Sequence, residues 1–167
     1  MHTVRHTTMI YKNFIIRTAG NEDIPSIKRI VFGVLKEYNL KSNESGKDID
    51  LNNIELNYFD KGGYFGVAVE TVSNEIVGTF GLYPITANVC ELRKMYLLKD
   101  ERGKGLGKFI LRCAIEIAKE KQYSKIVLET ISYLKEAISL YKQHGFKEVS
   151  PKEVNDRVDQ AFELSLF

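Results

Sequence analysis

The chain of 167 residues suits one domain whose core needs no disulfide staples, and its 44% hydrophobic and 28% charged content is that of an ordinary globular protein. A net charge of +2 is too small to make nucleic acid the expected partner. No apolar run approaches membrane-spanning length, so a membrane is not an expected partner either.

In chain order, residues 1–12 are polar and aperiodic, with His2 and His6, and are expected to form a flexible tail ahead of a single domain over 13–167. Residues 14–17 read as a first strand. Asn21 and Pro25 supply helix-start chemistry for a helix in which Ile27, Ile30, Val31, Val34, Leu35 and Tyr38 recur at helical spacing. A polar loop over 41–50 leads to a short, weak helix around 51–59. Strands over 64–70 and 76–83 follow, joined by a tight turn at Val72, Ser73 and Asn74. Then come strand 89–98, helix 104–121, strand 125–130, helix 134–144 and an alternating closing strand over 162–166. Cys90 belongs to a strand and Cys113 to an apolar helix face, so both read as small buried residues in a reducing compartment. The N-terminus lacks the apolar stretch of a signal peptide, and the expected location is cytoplasmic. No His, Cys and carboxylate cluster has metal-site spacing, and no metal is expected.

Strand 89–98 has a phase that does not close. Leu92 and Leu97 should both point inward, yet they are an odd number of residues apart, and Met95 is in phase only with Leu97. A one-residue bulge near Arg93 or Lys94 restores the phase, and bulges splay neighbouring strands. The alternative is an irregular strand with Arg93 and Lys94 facing solvent.

Between that strand and the following helix lies Arg102-Gly103-Lys104-Gly105-Leu106-Gly107-Lys108. Glycines at a helix N-terminus let backbone N–H groups approach an anion without Cβ interference, and the helix dipole favours negative charge there. A phosphate-bearing ligand is expected. A P-loop would need Gly at Arg102 and a hydroxyl at Phe109, and fails at both. The dinucleotide fingerprint fits Gly103 and Gly105 but would need its third glycine at Lys108, although Glu129 stands about where a ribose-binding acid belongs. The pattern Arg-x-x-Gly-x-Gly is met by Arg102, Gly105 and Gly107. It resembles the acyl-CoA pyrophosphate loop of the GCN5-related N-acetyltransferases (GNAT). One strand later, Ala137, Leu140, Tyr141, Gly145 and Phe146 resemble that family's Ala-x-x-Leu-Tyr-x-x-x-Gly-Phe segment.

The resemblance implies an α/β fold: a mixed, mostly antiparallel, strongly twisted sheet with helices on both faces and one parallel strand pair flanking the helix after the loop. It implies acetyl-CoA as co-substrate. Arg102, Gly103, Lys104, Gly105, Leu106, Gly107 and Lys108 would hold its pyrophosphate. Met95, Tyr96 and Leu97 would meet the pantetheine arm in the splay. A protonated amine near pKa ~10 attacks poorly, so a base helps; Glu91 matches the carboxylate that histone-type members use. Other members use a water chain, and Glu91 also reads as a surface residue balanced by Arg93. Tyr141 is the candidate acid for the departing thiolate and a cofactor contact, against a reading as packing. Leu134 stands where many relatives carry a cofactor-binding Asn, leaving Lys135 as a substitute phosphate contact. His144 before Gly145 reads as helix-end chemistry.

The acceptor is expected to be a primary amine of a small molecule or peptide, lodged near residues 24–60 with Tyr58, Phe59, Tyr64 and Tyr83 as candidate lining. The pI near 8.4 mildly favours acidic or zwitterionic acceptors. The oligomeric state is open, a homodimer included. An acyl-CoA-binding module without turnover is the competing reading, and a dinucleotide-dependent oxidoreductase trails it.

Overall fold

The computed structural model describes residues 8–167. Its elements are β1 (Met9–Tyr11), β2 (Phe14–Thr18), α1 (Ile24–Glu37), α2 (Ile54–Asn57), β3 (Tyr64–Glu70), β4 (Glu75–Pro84), β5 (Val89–Leu97), α3 (Leu106–Glu120), β6 (Lys125–Thr130), α4 (Lys135–Gln143), β7 (Lys147–Val149) and β8 (Gln160–Ser165). The strands form one sheet in the order β1-β2-β3-β4-β5-β6-β8-β7. Every neighbouring pair is antiparallel except β5 and β6, the two strands joined through α3.

Alternation along the strands builds two cores, one on each face. In β3, Tyr64 and Ala68 pack with Leu106, Ile110, Ala114 and Ile117 of α3, whereas Phe65, Val67 and Val69 pack with Ile27, Ile30, Val31 and Leu35 of α1. A central strand apolar on both faces must be covered twice, which is why the sheet carries helices on both sides. No helix among the described residues is long and apolar enough to cross a membrane.

The expected bulge is present at Lys94. Arg93 pairs with Gly81 and Tyr96 with Thr79, so Lys94 and Met95 together oppose Phe80. Lys94 adopts φ 54°, and the Thr79 hydroxyl donates to its carbonyl at 2.7 Å. The bulge shifts the phase as required: Cys90, Leu92, Met95 and Leu97 all pack on the α3 side, while Tyr96 packs on the α1 side and Leu98 touches both cores. Beyond Glu91, β5 leaves β6. The two strands are in register only at Val89–Lys125, Cys90–Ile126 and Glu91–Val127.

The expected flexible tail over 1–12 is corrected in its last part. Met9–Tyr11 pairs with β2, and Met9 and Tyr11 pack against the α3-side core. Three residues are too few for a periodic signal, and their partners are supplied by the chain beyond them. Residues 1–7 lie outside the described residues. Strand β7 was likewise not expected; it is three residues long and takes its edge from β8. His144 ends α4 as expected, with Nδ1 at 2.8 Å from the Leu140 carbonyl and Gly145 following at φ 89°. Both cysteines are buried, which pushes Cys90 to about 12 and Cys113 to about 11, so neither is a thiolate at neutral pH.

Candidate active site

The glycine loop opens α3 with its donors uncovered. Gly105 caps the helix in the left-handed region, φ 86°, and no side chain caps it. The N–H groups of Leu106, Gly107 and Lys108 have no acceptor within the helix by its geometry, while Phe109 N–H already donates to the Gly105 carbonyl at 3.1 Å. Gly105 must be glycine twice over, because its φ penalises a side chain and a Cβ would come within 2.4 Å of the Tyr11 hydroxyl. Gly107 differs: a Cβ there would meet no atom nearer than Leu97 Cδ1 at 3.5 Å, so the protein itself leaves the space open.

Arg102 is held in place before any ligand arrives. Its Nη1 donates to Glu37 of α1 at 2.5 Å, and Nε and Nη2 donate to the Leu97 carbonyl at 3.2 and 2.9 Å. Tyr11 and Lys12 both donate to the Lys104 carbonyl, at 3.2 and 3.4 Å, and the Tyr11 ring stacks on Phe109 with centroids 5.0 Å apart. Turning that carbonyl toward β1 keeps an acceptor oxygen occupied beside a loop whose ligand would be an anion.

From this loop a groove of about 900 Å³ crosses the sheet where β5 and β6 part. Its walls include Arg102, Gly103, Gly105, Gly107 and Lys108 at one end, Met95, Tyr96, Leu97, Leu134 and Tyr141 in the middle, and Glu91, Arg93, Tyr83 and Glu129 beyond. Glu91 Oε1 accepts from Arg93 Nε at 2.6 Å, and the Arg93 guanidinium lies 3.9 Å from the Tyr83 ring centroid. Tyr141 is 6% exposed, packed against Phe146 and Phe162, with no hydrogen bond to its hydroxyl from the described residues. Burial, and the nearby Tyr96, raise its pKa above the ordinary tyrosine value, so it enters the groove as a neutral phenol.

A neutral phenol, a carboxylate and the uncapped N–H groups of a helix start line one groove. Residues 32–146 match the family model of the GNAT acetyltransferases. An uncharacterised N-acetyltransferase of Escherichia coli, YjgM, is 37% identical over 139 residues, which is 81% of this chain and 83% of that protein. This chain belongs to the GNAT family. It is an acyltransferase of the acetyltransferase type. A GNAT acetyltransferase from Staphylococcus aureus superposes with a TM-score of 0.84 at 28% identity, over 92% of this chain and 99% of that one. YncA from Salmonella typhimurium, solved with acetyl-CoA, gives 0.73 at 18% identity over 93% and 95% of the two chains, a likeness of fold.

Set on the GNAT frame, most of the expected site residues converge on the groove and three do not. Lys135 is corrected: at the start of α4 it lines a separate hollow with Ser132, Ser139 and Lys142. Lys104 turns its ammonium to Glu101 at 3.2 Å and lines another hollow beside β1. Leu106 is buried, and only its backbone N–H is available. Among the aromatics considered for the acceptor, only Tyr83 lines the groove. Tyr58 is buried against Asp50, and Phe59 and Tyr64 pack edge to face in the core.

A buried ionic cluster beside the bulge, not marked in the sequence, also lines the groove. Lys94, 9% exposed, reaches from the bulge to Asp48 at 3.0 Å, Asp50 at 3.4 Å and the Lys47 carbonyl at 3.1 Å. Arg157 grips Asp48 through both terminal nitrogens, at 2.9 and 3.1 Å. Burial alone would raise the Asp48 pKa, but Arg157, the Asn43 N–H and Lys94 hold it below the usual carboxylate range. The bulge reading therefore stands and its solvent-facing alternative does not hold for Lys94, which the bulge turns onto the same side as Arg93. No local signal marks this cluster, because Asp48 and Arg157 are 109 residues apart in a polar loop and a charged one.

Proposed function

We propose that the protein transfers acetyl from acetyl-CoA to a primary amine of a small molecule or peptide by direct attack in a ternary complex. The observation that carries this reading is the continuous groove, which runs from the open N–H groups of α3, past the bulge, to Glu91 and Tyr141. The pyrophosphate would take the N–H groups of Leu106, Gly107 and Lys108 with Arg102 and Lys108 nearby. Backbone groups of β5 around Met95, Tyr96 and Leu97, where β5 has left β6, would meet the pantetheine arm, the Leu97 carbonyl itself being taken by Arg102. YncA being solved with acetyl-CoA supports the same donor for this chain.

The chemistry asked of the residues is proton handling. Glu91 lowers the cost of stripping a proton from the acceptor's ammonium; Tyr141, a neutral phenol, gives a proton to the departing sulfur. The test is free-thiol release from acetyl-CoA across amino acids, polyamines, aminoglycosides and peptides. Release dependent on one class of amine is the expected result. Tight acetyl-CoA binding without release for any of them would favour the acyl-CoA-binding module, and stabilisation by NAD exceeding that by CoA would refute the donor assignment.

A further inference from the structure

Glu129 stands in the seam that β5 vacates. Glu91 pairs with Val127 at the last shared register, and Glu129 is two residues further along β6, hence on the same face as Val127 and Glu91. Ile126, Leu128 and Thr130 take the opposite, buried face. Past Glu91 no β5 residue covers β6, so Glu129 opens into the groove that Glu91 and Arg93 also line. The two carboxylates differ in what they are free to do. Glu91 has Oε1 bound by Arg93 at 2.6 Å, a pair of zero net charge. Glu129 makes no hydrogen bond or salt bridge to any described residue, and is held in position by its strand, paired at Ala161 of β8.

We propose that Glu129 is a second catalytic carboxylate of this site, contacting the acceptor nitrogen and taking its first proton. The inference rests on the acetyl-transfer reading above and deepens it: the acceptor arrives as an ammonium, lodged between Glu91 and Glu129. One N–H proton passes to Glu129, and the freed lone pair forms the C–N bond at the thioester carbonyl. On collapse the C–S bond breaks, its electron pair leaves on sulfur, and Tyr141 protonates the sulfur. The nitrogen's second proton replaces, through solvent, the one Tyr141 gave, and Glu129 releases its own to water. The products are an amide, a free thiol and one proton.

Burial and the like charge of Glu91 raise the Glu129 pKa, while Lys152, Arg93 and Lys47, which face it from neighbouring segments, hold it down. A raised pKa makes the Glu129 carboxylate a better proton acceptor than an ordinary glutamate, and its titration depends on the charge of Glu91. That dependence gives the test a readout that a structural role would not move.

With an amine found by the thiol-release panel, kcat/KM is measured against pH for wild type, Glu129→Gln, Glu129→Asp and Glu91→Gln, alongside the thermal shift with acetyl-CoA. Glu129→Gln is expected to lower kcat/KM about 10²-fold with the acetyl-CoA shift unchanged, and Glu129→Asp to recover part of it. In Glu91→Gln, which keeps Glu129, the acidic limb should move to lower pH because the like-charged neighbour is gone. A Glu129→Gln enzyme matching wild type in rate and pH profile overturns the proposal and leaves the acetyl-transfer reading standing. Failure of the wild type to release thiol with any amine removes the acetyl-transfer reading, and this one with it.

Discussion

At Tyr141 the packing role that the structure gives and the acid role proposed above can be separated. Its ring is buried against Phe146 and Phe162, and burial raises its pKa further above neutrality. Tyr141→Phe keeps the ring, so stability should change little, whereas turnover should fall about 10-fold to 10³-fold at constant acceptor binding. The deficit should shrink with an acyl donor whose leaving thiol has a lower pKa, because that thiolate departs unaided. A deficit indifferent to the leaving group would indicate a displaced co-substrate instead. Gly107 allows a cleaner separation of fold from ligand. Its Cβ space is free of protein atoms closer than ordinary contact, and alanine is the better helix former by up to about 1 kcal/mol. Gly107→Ala should therefore leave the melting temperature unchanged or raise it, yet lose most of the acetyl-CoA thermal shift. Retention of the full shift would show that the ligand does not approach the backbone there.

At the level of elements, the loop before α3 is braced from the far edge of the sheet. Strand β1 places Tyr11 on the Lys104 carbonyl and on the Phe109 ring, so the loop's geometry depends on a strand about 90 residues earlier. Tyr11→Phe keeps the stacking and removes one hydrogen bond, which is worth about 0.5–1.5 kcal/mol. The expected consequence is a rise of about 2-fold to 10-fold in KM for acetyl-CoA, with kcat and KM for the amine unchanged. A fall in kcat alone would place the role of Tyr11 elsewhere. The bulge in β5 acts as a second such device. It turns Lys94 onto the side of the 41–50 loop, so the kink in β5 also fastens that loop as a wall of the groove.

Across the whole molecule that fastening is a stability term. Asp48 is fully buried between Lys94 and Arg157, and removing one member of a buried pair costs about 3–5 kcal/mol because it strands the remaining charge. Asp48→Asn should lower the unfolding free energy in urea by about that amount. The folded pKa values of Asp48 and Asp23 both lie below the usual carboxylate range, for Asp23 chiefly through its hydrogen bonds from Arg17. Their stabilisation is therefore complete above the unfolded value near pH ~4 and is lost as pH falls through the lower folded values. Wild type should lose stability steeply below about pH 4, and Asp48→Asn should lose less over the same interval. Parallel acid curves for the two proteins would locate the acid-sensitive charge elsewhere.

What could be read in the chain was what is encoded locally. Helical spacing announced α1 and α3, alternation announced β8, and apolar runs bounded by a tight turn announced β3 and β4. The odd interval between Leu92 and Leu97 announced the bulge that the structure has at Lys94. The loop glycines announced the open, uncapped start of α3 because left-handed φ and absent Cβ atoms are properties of the residues themselves. Contacts between segments distant in sequence were decided only by the folded chain. Met9–Tyr11 became a strand because β2 offered an edge. Asp48 and Asp50 belong to what reads as a polar loop, and only the fold brings the bulged Lys94 and Arg157 of the C-terminal segment onto them away from water. Glu129 gained its place beside Glu91 only because β5 and β6 are parallel, share three register pairs and then diverge, a relation that no periodicity in either strand contains.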